Sequence, residues 1–166
     1  MTGALPAPGF EAKIVSPDAL ASWLTGAPRP LVFTNGVFDL LHRGHVTYLA
    51  RARALGAGLL VALNSDASAR RLGKGADRPI NALEDRLALV AALAVVDAVT
   101  WFEADTLAAL IERCRPEVLV KGGDWPVERI AGAAGVLARG GRVESIAFEH
   151  TRSTSALLDR IRKSLT

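Results

Sequence analysis

The sequence has almost no sulfur chemistry to offer. Cys114 is the only cysteine, so no intrachain disulfide can form, and a reducing, cytoplasmic setting is the expected one. Histidine is nearly as scarce, at His42, His45 and His150. A zinc site wants three or four such ligands at suitable spacing, and the chain does not supply them. Aromatic residues make up 5% of the chain and are scattered, which leaves no platform for stacking RNA bases. Like charges never gather into a long run. The longest apolar stretch, Leu87 to Val96, is far too short to span a bilayer. Met1 to Phe10 lack the basic start and apolar stretch of a signal peptide. Together these absences argue against a membrane protein, a disulfide-stapled scaffold, a zinc enzyme and a nucleic-acid binder.

What is present fits one globular domain. The chain has 166 residues, 50% hydrophobic and 22% charged, enough to bury a real core. Its formal charge of +3 comes from 20 basic and 17 acidic side chains. That mild excess suits an anionic small substrate and gives thin support to an RNA partner. The expected organisation is a loose tail over residues 1–12 and a single domain over 13–166.

Short apolar runs alternate with longer amphipathic ones. Strands are expected at Leu31–Thr34, Leu59–Leu63, Ala98–Phe102, Val118–Val120 and Val143–Phe148. Helices are expected at Gly44–Leu55, Leu83–Val95, Thr106–Cys114, Glu128–Ala138 and Ser153–Lys163. One more helix opens the domain at Pro17–Leu24, with Ser16 as its N-cap. Gly56, Gly58, Gly140 and Gly141 stand where helices should end. Repeated β-then-α order predicts an α/β fold, a Rossmann-like, doubly wound parallel sheet of about five strands. In such sheets ligands lie beyond the carboxyl ends of the strands, where strand order reverses.

The segment after the first strand is the most informative. It reads Phe33-Thr-Asn-Gly-Val-Phe-Asp-Leu-Leu-His-Arg-Gly-His45. Gly36 permits a tight turn and close approach of a ligand. Gly44 marks a helix start, where unpaired N–H groups attract anions. His42 and His45, three residues apart, project from nearly one side of a first helical turn. Two imidazole donors there make a cradle for a polyphosphate. Asp39 admits a second reading as a helix cap. Neither the dinucleotide fingerprint nor a P-loop occurs.

Gly36-Val-Phe-Asp-Leu-Leu-His-Arg-Gly-His45 resembles the Gly-x-Phe-Asp-x-x-His-x-Gly-His signature of the cytidylyltransferase-like family, with every fixed position met. The likeness runs from about Lys13 to the end. It includes Thr34-Asn-Gly-Val-Phe-Asp39, Asn64-Ser-Asp66, Arg78-Pro79, Lys121-Gly-Gly-Asp124 and Ser153-Thr-Ser155. It implies a nucleotidyltransferase of the His-x-Gly-His type. The secondary motifs favour members that transfer AMP from ATP to D-glycero-β-D-manno-heptose 1-phosphate, for lipopolysaccharide core synthesis. The alternative is a cytidylyltransferase acting on glycerol 3-phosphate or a similar phosphorylated alcohol. That heptose activity often occurs fused to a sugar kinase, and a chain of this length is expected to be a stand-alone form.

The resemblance also implies roles. His42, His45, Lys74 and Arg86 are the expected catalytic set, contacting the phosphates. Thr34, Asn35, Gly36, Phe38, Asp39, Gly44, Lys121, Asp124, Arg152, Ser153, Thr154 and Ser155 are expected to hold the nucleotide. Asn64, Asp66 and Arg78 are expected to meet the sugar phosphate. Arg152 departs from the family pattern, because it abuts the serine directly. Mg²⁺ is expected to ride on the phosphates with no protein ligand. A homo-oligomer is expected, and neither a membrane nor nucleic acid as partner. Trp125 has two readings, stacking near the base or packing, with packing preferred. Trp23 and Trp101 read as core or interface residues, Cys114 as packing, and Arg70 and Arg71 as solvated surface. A nucleotide sensor without chemistry is the rival from another class.

Overall fold

The computed structural model describes residues 6–73, 78–103, 107–149 and 153–164. Five strands form one parallel sheet: β1 (Leu31–Gly36), β2 (Gly58–Asn64), β3 (Ala98–Phe102), β4 (Val118–Gly122) and β5 (Arg142–Ile146). Seven helices are seen among the described residues: α1 (Leu20–Thr25), α2 (Arg43–Arg53), α3 (Asp66–Arg71), α4 (Leu83–Ala91), α5 (Ala108–Cys114), α6 (Ala133–Ala138) and α7 (Thr154–Ser164).

The strand order is β3-β2-β1-β4-β5. The chain winds outward from β1 to β3, then crosses back to place β4 on the other side of β1. That reversal lies between β1 and β4, whose registers pair Val32 with Val118 and Thr34 with Val120. Their carboxyl ends, Asn35-Gly36 and Lys121-Gly122, therefore open side by side at the crevice where such sheets bind ligands.

Strand residues alternate between two apolar layers, as the pleat requires. Leu31, Phe33, Leu60, Ala62 and Leu119 face one layer with Leu20, Ile111 and Val136. Val32, Leu59, Val61, Val118 and Val120 face the other with Leu49, Leu87 and Val90. Cys114 is buried in the first layer, and burial pushes its thiol up to about 11. Packing, as expected, is its role.

Carboxylates tie the amino ends of the strands. Glu117 accepts from the Leu31 N–H at 2.6 Å and from Arg29 at 2.8 Å, which joins β1 to β4. Burial pushes the Glu117 carboxyl up, but these bonds outweigh it and leave its pKa lowered. Asp97 accepts from the Leu59 N–H at 2.8 Å and pairs with Arg53 at 2.8 Å, which joins β2 to β3.

Several boundaries differ from expectation for local reasons. Ser16 caps a turn, since its hydroxyl accepts from the Ala19 N–H, and the regular helix begins at Leu20. The expected helix over Glu128–Ala138 is a 3₁₀ turn at Val127–Arg129 followed by α6. Gly132 separates the two in a left-handed conformation, φ +81°. Part of the segment expected to be a loose tail is ordered. Gly9–Lys13 form a 3₁₀ turn, Phe10 packs on the core, and Lys13 donates to the Leu93 carbonyl at 3.2 Å. No helix among the described residues is long and apolar enough to cross a membrane.

Candidate active site

β1 ends at Gly36 because the next turn needs a residue without a side chain there. A Cβ on Gly36 would stand 2.9 Å from the Phe38 ring. Phe38 itself takes a left-handed backbone, φ +49°, which costs a bulky residue on the order of 1–3 kcal/mol. Burial of its ring, 5% exposed, offsets that strain. The ring meets His45 edge-on at 5.2 Å between centroids, so the strained turn fixes an imidazole.

His42 stands at the N-cap of α2 in an extended conformation and makes no side-chain capping bond. Its carbonyl accepts from the His45 N–H at 2.9 Å. The two imidazoles stack, with centroids 3.9 Å apart and planes 20° from parallel. The expected projection of both rings from one side of a first turn is what the structure has. Two positive rings at that separation would repel, and burial lowers the His42 pKa below its ordinary value. The Nδ1 of His42 is buried with no hydrogen-bond partner, a condition met at sites that a ligand or ordered water completes. The first turn of α2 holds no acidic residue, so nothing competes with an anion for its N–H groups.

Around this pair lies an open cleft of about 490 Å³. Of the expected residues, Asn35, Gly36, Phe38, Asp39, His42, His45, Arg78, Lys121, Ser153, Thr154 and Ser155 line it. The ends of β1 and β4, the start of α2 and the start of α7 therefore converge on one space. Gly44 is buried within the first turn of α2. Lys74, Arg152 and His150 lie outside the described residues.

Asp39 is wholly engaged within the protein. Its carboxylate accepts from the N–H groups of Ile80 and Asn81 at 2.8 and 3.0 Å and from Arg78 at 2.9 Å. Burial raises its pKa, but these bonds prevail and the net shift is downward. Arg78 also donates to Ser155 at 3.2 Å. It thus connects the turn after β1 to the start of α7.

Five expected contacts are placed elsewhere. Arg86 does not line the cleft and is 0% exposed. Its guanidinium donates to the carbonyls of Val37, Asn64 and Asn81 at 2.7, 2.9 and 3.1 Å, and to Asp66 at 2.7 Å. A group so enclosed holds the loops after β1 and β2 and has no free face for a phosphate. Asp66 and Asn64 serve the same strut. Asp66 pairs with Arg86, while the Asn64 amide donates to Ser68 at 3.0 Å. Thr34 is buried, its hydroxyl bonded to that of Tyr48. Asp124 is exposed and is not among the lining residues.

The structure adds lining residues that the sequence reading passed over. Tyr48 follows His45 by three positions on α2 and faces the cleft, a spacing that helical periodicity alone could have flagged. Phe148 and Trp125 complete the wall beyond β4 and β5.

No group of three or more His, Cys, Asp or Glu residues suited to a metal occurs among the described residues.

Comparison with known proteins agrees with this geometry. The chain is 55% identical over 93% of its length to D-beta-D-heptose 1-phosphate adenylyltransferase of Bordetella bronchiseptica, of which it spans 96%. It is 54% identical over 81% of its length to the bifunctional protein HldE of Nitrosococcus oceani, of which it spans 28%. Among solved structures, a lipopolysaccharide core biosynthesis protein from Thermoplasma volcanium superimposes with a TM-score of 0.59 at 29% identity, over 74% of this chain and 98% of that one. Residues 33–147 match the family model described as cytidylyltransferase-like, a span that runs from β1 through the turn bearing the stacked imidazoles to just past β5, and the chain belongs to that family.

Proposed function

We propose that this protein is an adenylyltransferase that moves AMP from ATP to D-glycero-β-D-manno-heptose 1-phosphate, releasing pyrophosphate and forming ADP-heptose for lipopolysaccharide core synthesis. The observation that carries this reading is the 55% identity over nearly the full length of the Bordetella enzyme. The stacked histidines in the cleft at the strand-order reversal supply chemistry consistent with it.

The reaction asks little of acid–base catalysis. A sugar phosphate is already ionised at neutral pH. One of its oxygens attacks the α-phosphorus, a new P–O bond forms, and the bond to the bridging oxygen of pyrophosphate breaks in line. Catalysis is then alignment and charge neutralisation. His42 and His45 donate hydrogen bonds to the phosphates as charge builds on the bridging oxygen. The start of α2 adds N–H groups, and Lys121, Arg78 and the loop lysine Lys74 add positive charge. Ser153, Thr154 and Ser155 offer hydroxyls at the start of α7. Arg86 acts through the turns it holds, without touching substrate. A Mg²⁺ carried in with ATP would supply further neutralisation of phosphate charge beside Lys121, Arg78 and Lys74. A cytoplasmic setting, where ATP is supplied, is the one this reading calls for.

A pyrophosphate-release assay decides the substrates. ATP, CTP and GTP are each offered with heptose 1-phosphate and with glycerol 3-phosphate. The expected result is release with ATP and the heptose only. Release with CTP alone would replace this reading by the cytidylyltransferase one, and nucleotide binding without turnover would favour a sensor.

A further inference from the structure

The cleft has one wall that phosphate chemistry does not explain. After β4 the chain reads Lys121-Gly-Gly-Asp-Trp125. Each of the two glycines lies beneath an aromatic ring. A Cβ on Gly122 would stand 2.6 Å from Phe148 Cζ, and one on Gly123 would stand 2.8 Å from Trp125 Nε1. Gly123 has φ +111°, a conformation that belongs to glycine. Both rings line the cleft. Phe148 is braced by Tyr48 at 5.6 Å between centroids, and Trp125 is about half exposed.

The polar groups of this loop are used internally. The Trp125 indole N–H donates to the Gly122 carbonyl at 3.2 Å. The Gly123 N–H donates to the Ile146 carbonyl at 2.9 Å. The Ser145 hydroxyl donates to the Gly123 carbonyl at 2.6 Å, and its oxygen accepts from the Trp125 N–H at 2.9 Å. Ser145, on β5, therefore grips the loop at two points. Beyond the charged Lys121, what this wall presents to a ligand in the cleft is flat ring surface. Such a surface rewards the area of a planar group laid on it, and a purine offers more area than a pyrimidine.

We infer that Ser145 is a positioning residue that sets Trp125 as a stacking wall, and that this wall biases the cleft toward purine nucleotides. The inference rests on the adenylyl-transfer reading, since it needs a nucleotide in the cleft. It is tested by measuring kcat and KM for ATP and for CTP with heptose 1-phosphate in the wild type, Ser145→Ala, Ser145→Thr and Trp125→Leu. Ser145→Ala is expected to raise the KM for ATP roughly tenfold, the scale of one or two lost hydrogen bonds. Its kcat should stay within about twofold, the mark of lost binding without lost transition-state contact. The preference for ATP over CTP should shrink, and Ser145→Thr, which keeps the hydroxyl, should restore it. Trp125→Leu removes the ring from an exposed position and gives an independent route to the same loss, should Ser145→Ala fail to fold. If Ser145→Ala and Trp125→Leu weaken ATP and CTP equally, or leave both unchanged, the inference is overturned while adenylyl transfer stands. If the wild type turns over no nucleotide, or CTP alone, the adenylyl-transfer reading itself is overturned and the inference goes with it.

Discussion

Arg86 and Asp66 meet at 2.7 Å, with the guanidinium side chain 0% exposed and the carboxylate side chain 31% exposed. The pair is asymmetric. One partner is locked in protein, while the other keeps contact with water. Loss of the buried partner should therefore cost far more than softening the exposed one. Arg86→Met is expected to lower stability by about 3–5 kcal/mol, the range for breaking a buried pair from one side. Asp66→Asn keeps an acceptor and should cost about 1 kcal/mol. Urea unfolding followed by circular dichroism compares them. Equal midpoints for the two variants would contradict the strut assigned to Arg86.

The imidazole stack makes a separate prediction about rate. His45→Ala and His42→Ala should each fold normally, because both rings line the open cleft. Each should lower pyrophosphate release about 10²–10³-fold, the scale of one lost donor to a developing negative charge. Full turnover by a well-folded variant would remove the histidines from the mechanism.

Burial of His42 predicts a pH dependence of stability. Its pKa in the folded chain lies below the ordinary 6.5. Between those two values the unfolded chain binds a proton that the folded chain does not. Stability then rises with pH across that window and is lost as pH falls through it. Asp39 and Glu117 act in a lower window. Their folded pKa values lie below the ordinary 3.8 and 4.5, so the stability they give is present above those values and lost as pH falls beneath them. Melting temperatures taken from about pH 8 down to about pH 5 isolate the histidine window. The wild type should decline below about pH 6.5, and His42→Asn should decline less. Parallel curves would remove His42 as the cause.

Two glycine variants should separate folding from function. A Cβ on Gly56 would fall 2.4 Å from the Pro30 carbonyl oxygen and 2.7 Å from Val32 Cγ2. That clash is with backbone and with a buried core side chain, far from the cleft. Gly56→Ala should lose about 1–3 kcal/mol of stability and keep the KM for ATP. At Gly36 the obstacle is the Phe38 ring, which also fixes His45. Gly36→Ala should displace that ring, and activity should fall by a larger factor than stability accounts for. Kinetics and denaturant melts on the same preparations provide the check. A drop in activity for Gly56→Ala matching that of Gly36→Ala would refute the distinction.

The sheet was legible because its signal is local. Leu31–Thr34, Leu59–Leu63 and Ala98–Phe102 are apolar runs bounded by turn residues, and each lies within an observed strand. The His42/His45 placement was legible for the same reason, since three-residue spacing at a helix start settles which way two side chains point. The role of Arg86 was not. Its partners come from Val37, Asn64, Asp66 and Asn81, three of them beyond its own helix and loop, and one sequence says nothing about what encloses a guanidinium. An arginine in a phosphate-binding family reads as a ligand until its burial is known. Asn64 and Asp66 followed it, because their position at a strand end suggested substrate while the arginine had claimed them. The 3₁₀ turn before α6 was missed because Gly132 breaks a run that otherwise carries helical composition.

The order of strands has a bearing on how the protein is made. The imidazole pair and the floor at Asn35 leave the ribosome early. The facing wall at Lys121–Trp125, the serine that pins it and the hydroxyls of α7 emerge much later. A nascent chain thus carries half a cradle for most of its synthesis and closes it only when β4 slides in beside β1. A ligand held across both halves would accordingly stabilise only chains in which the β1–β4 pairing has already formed.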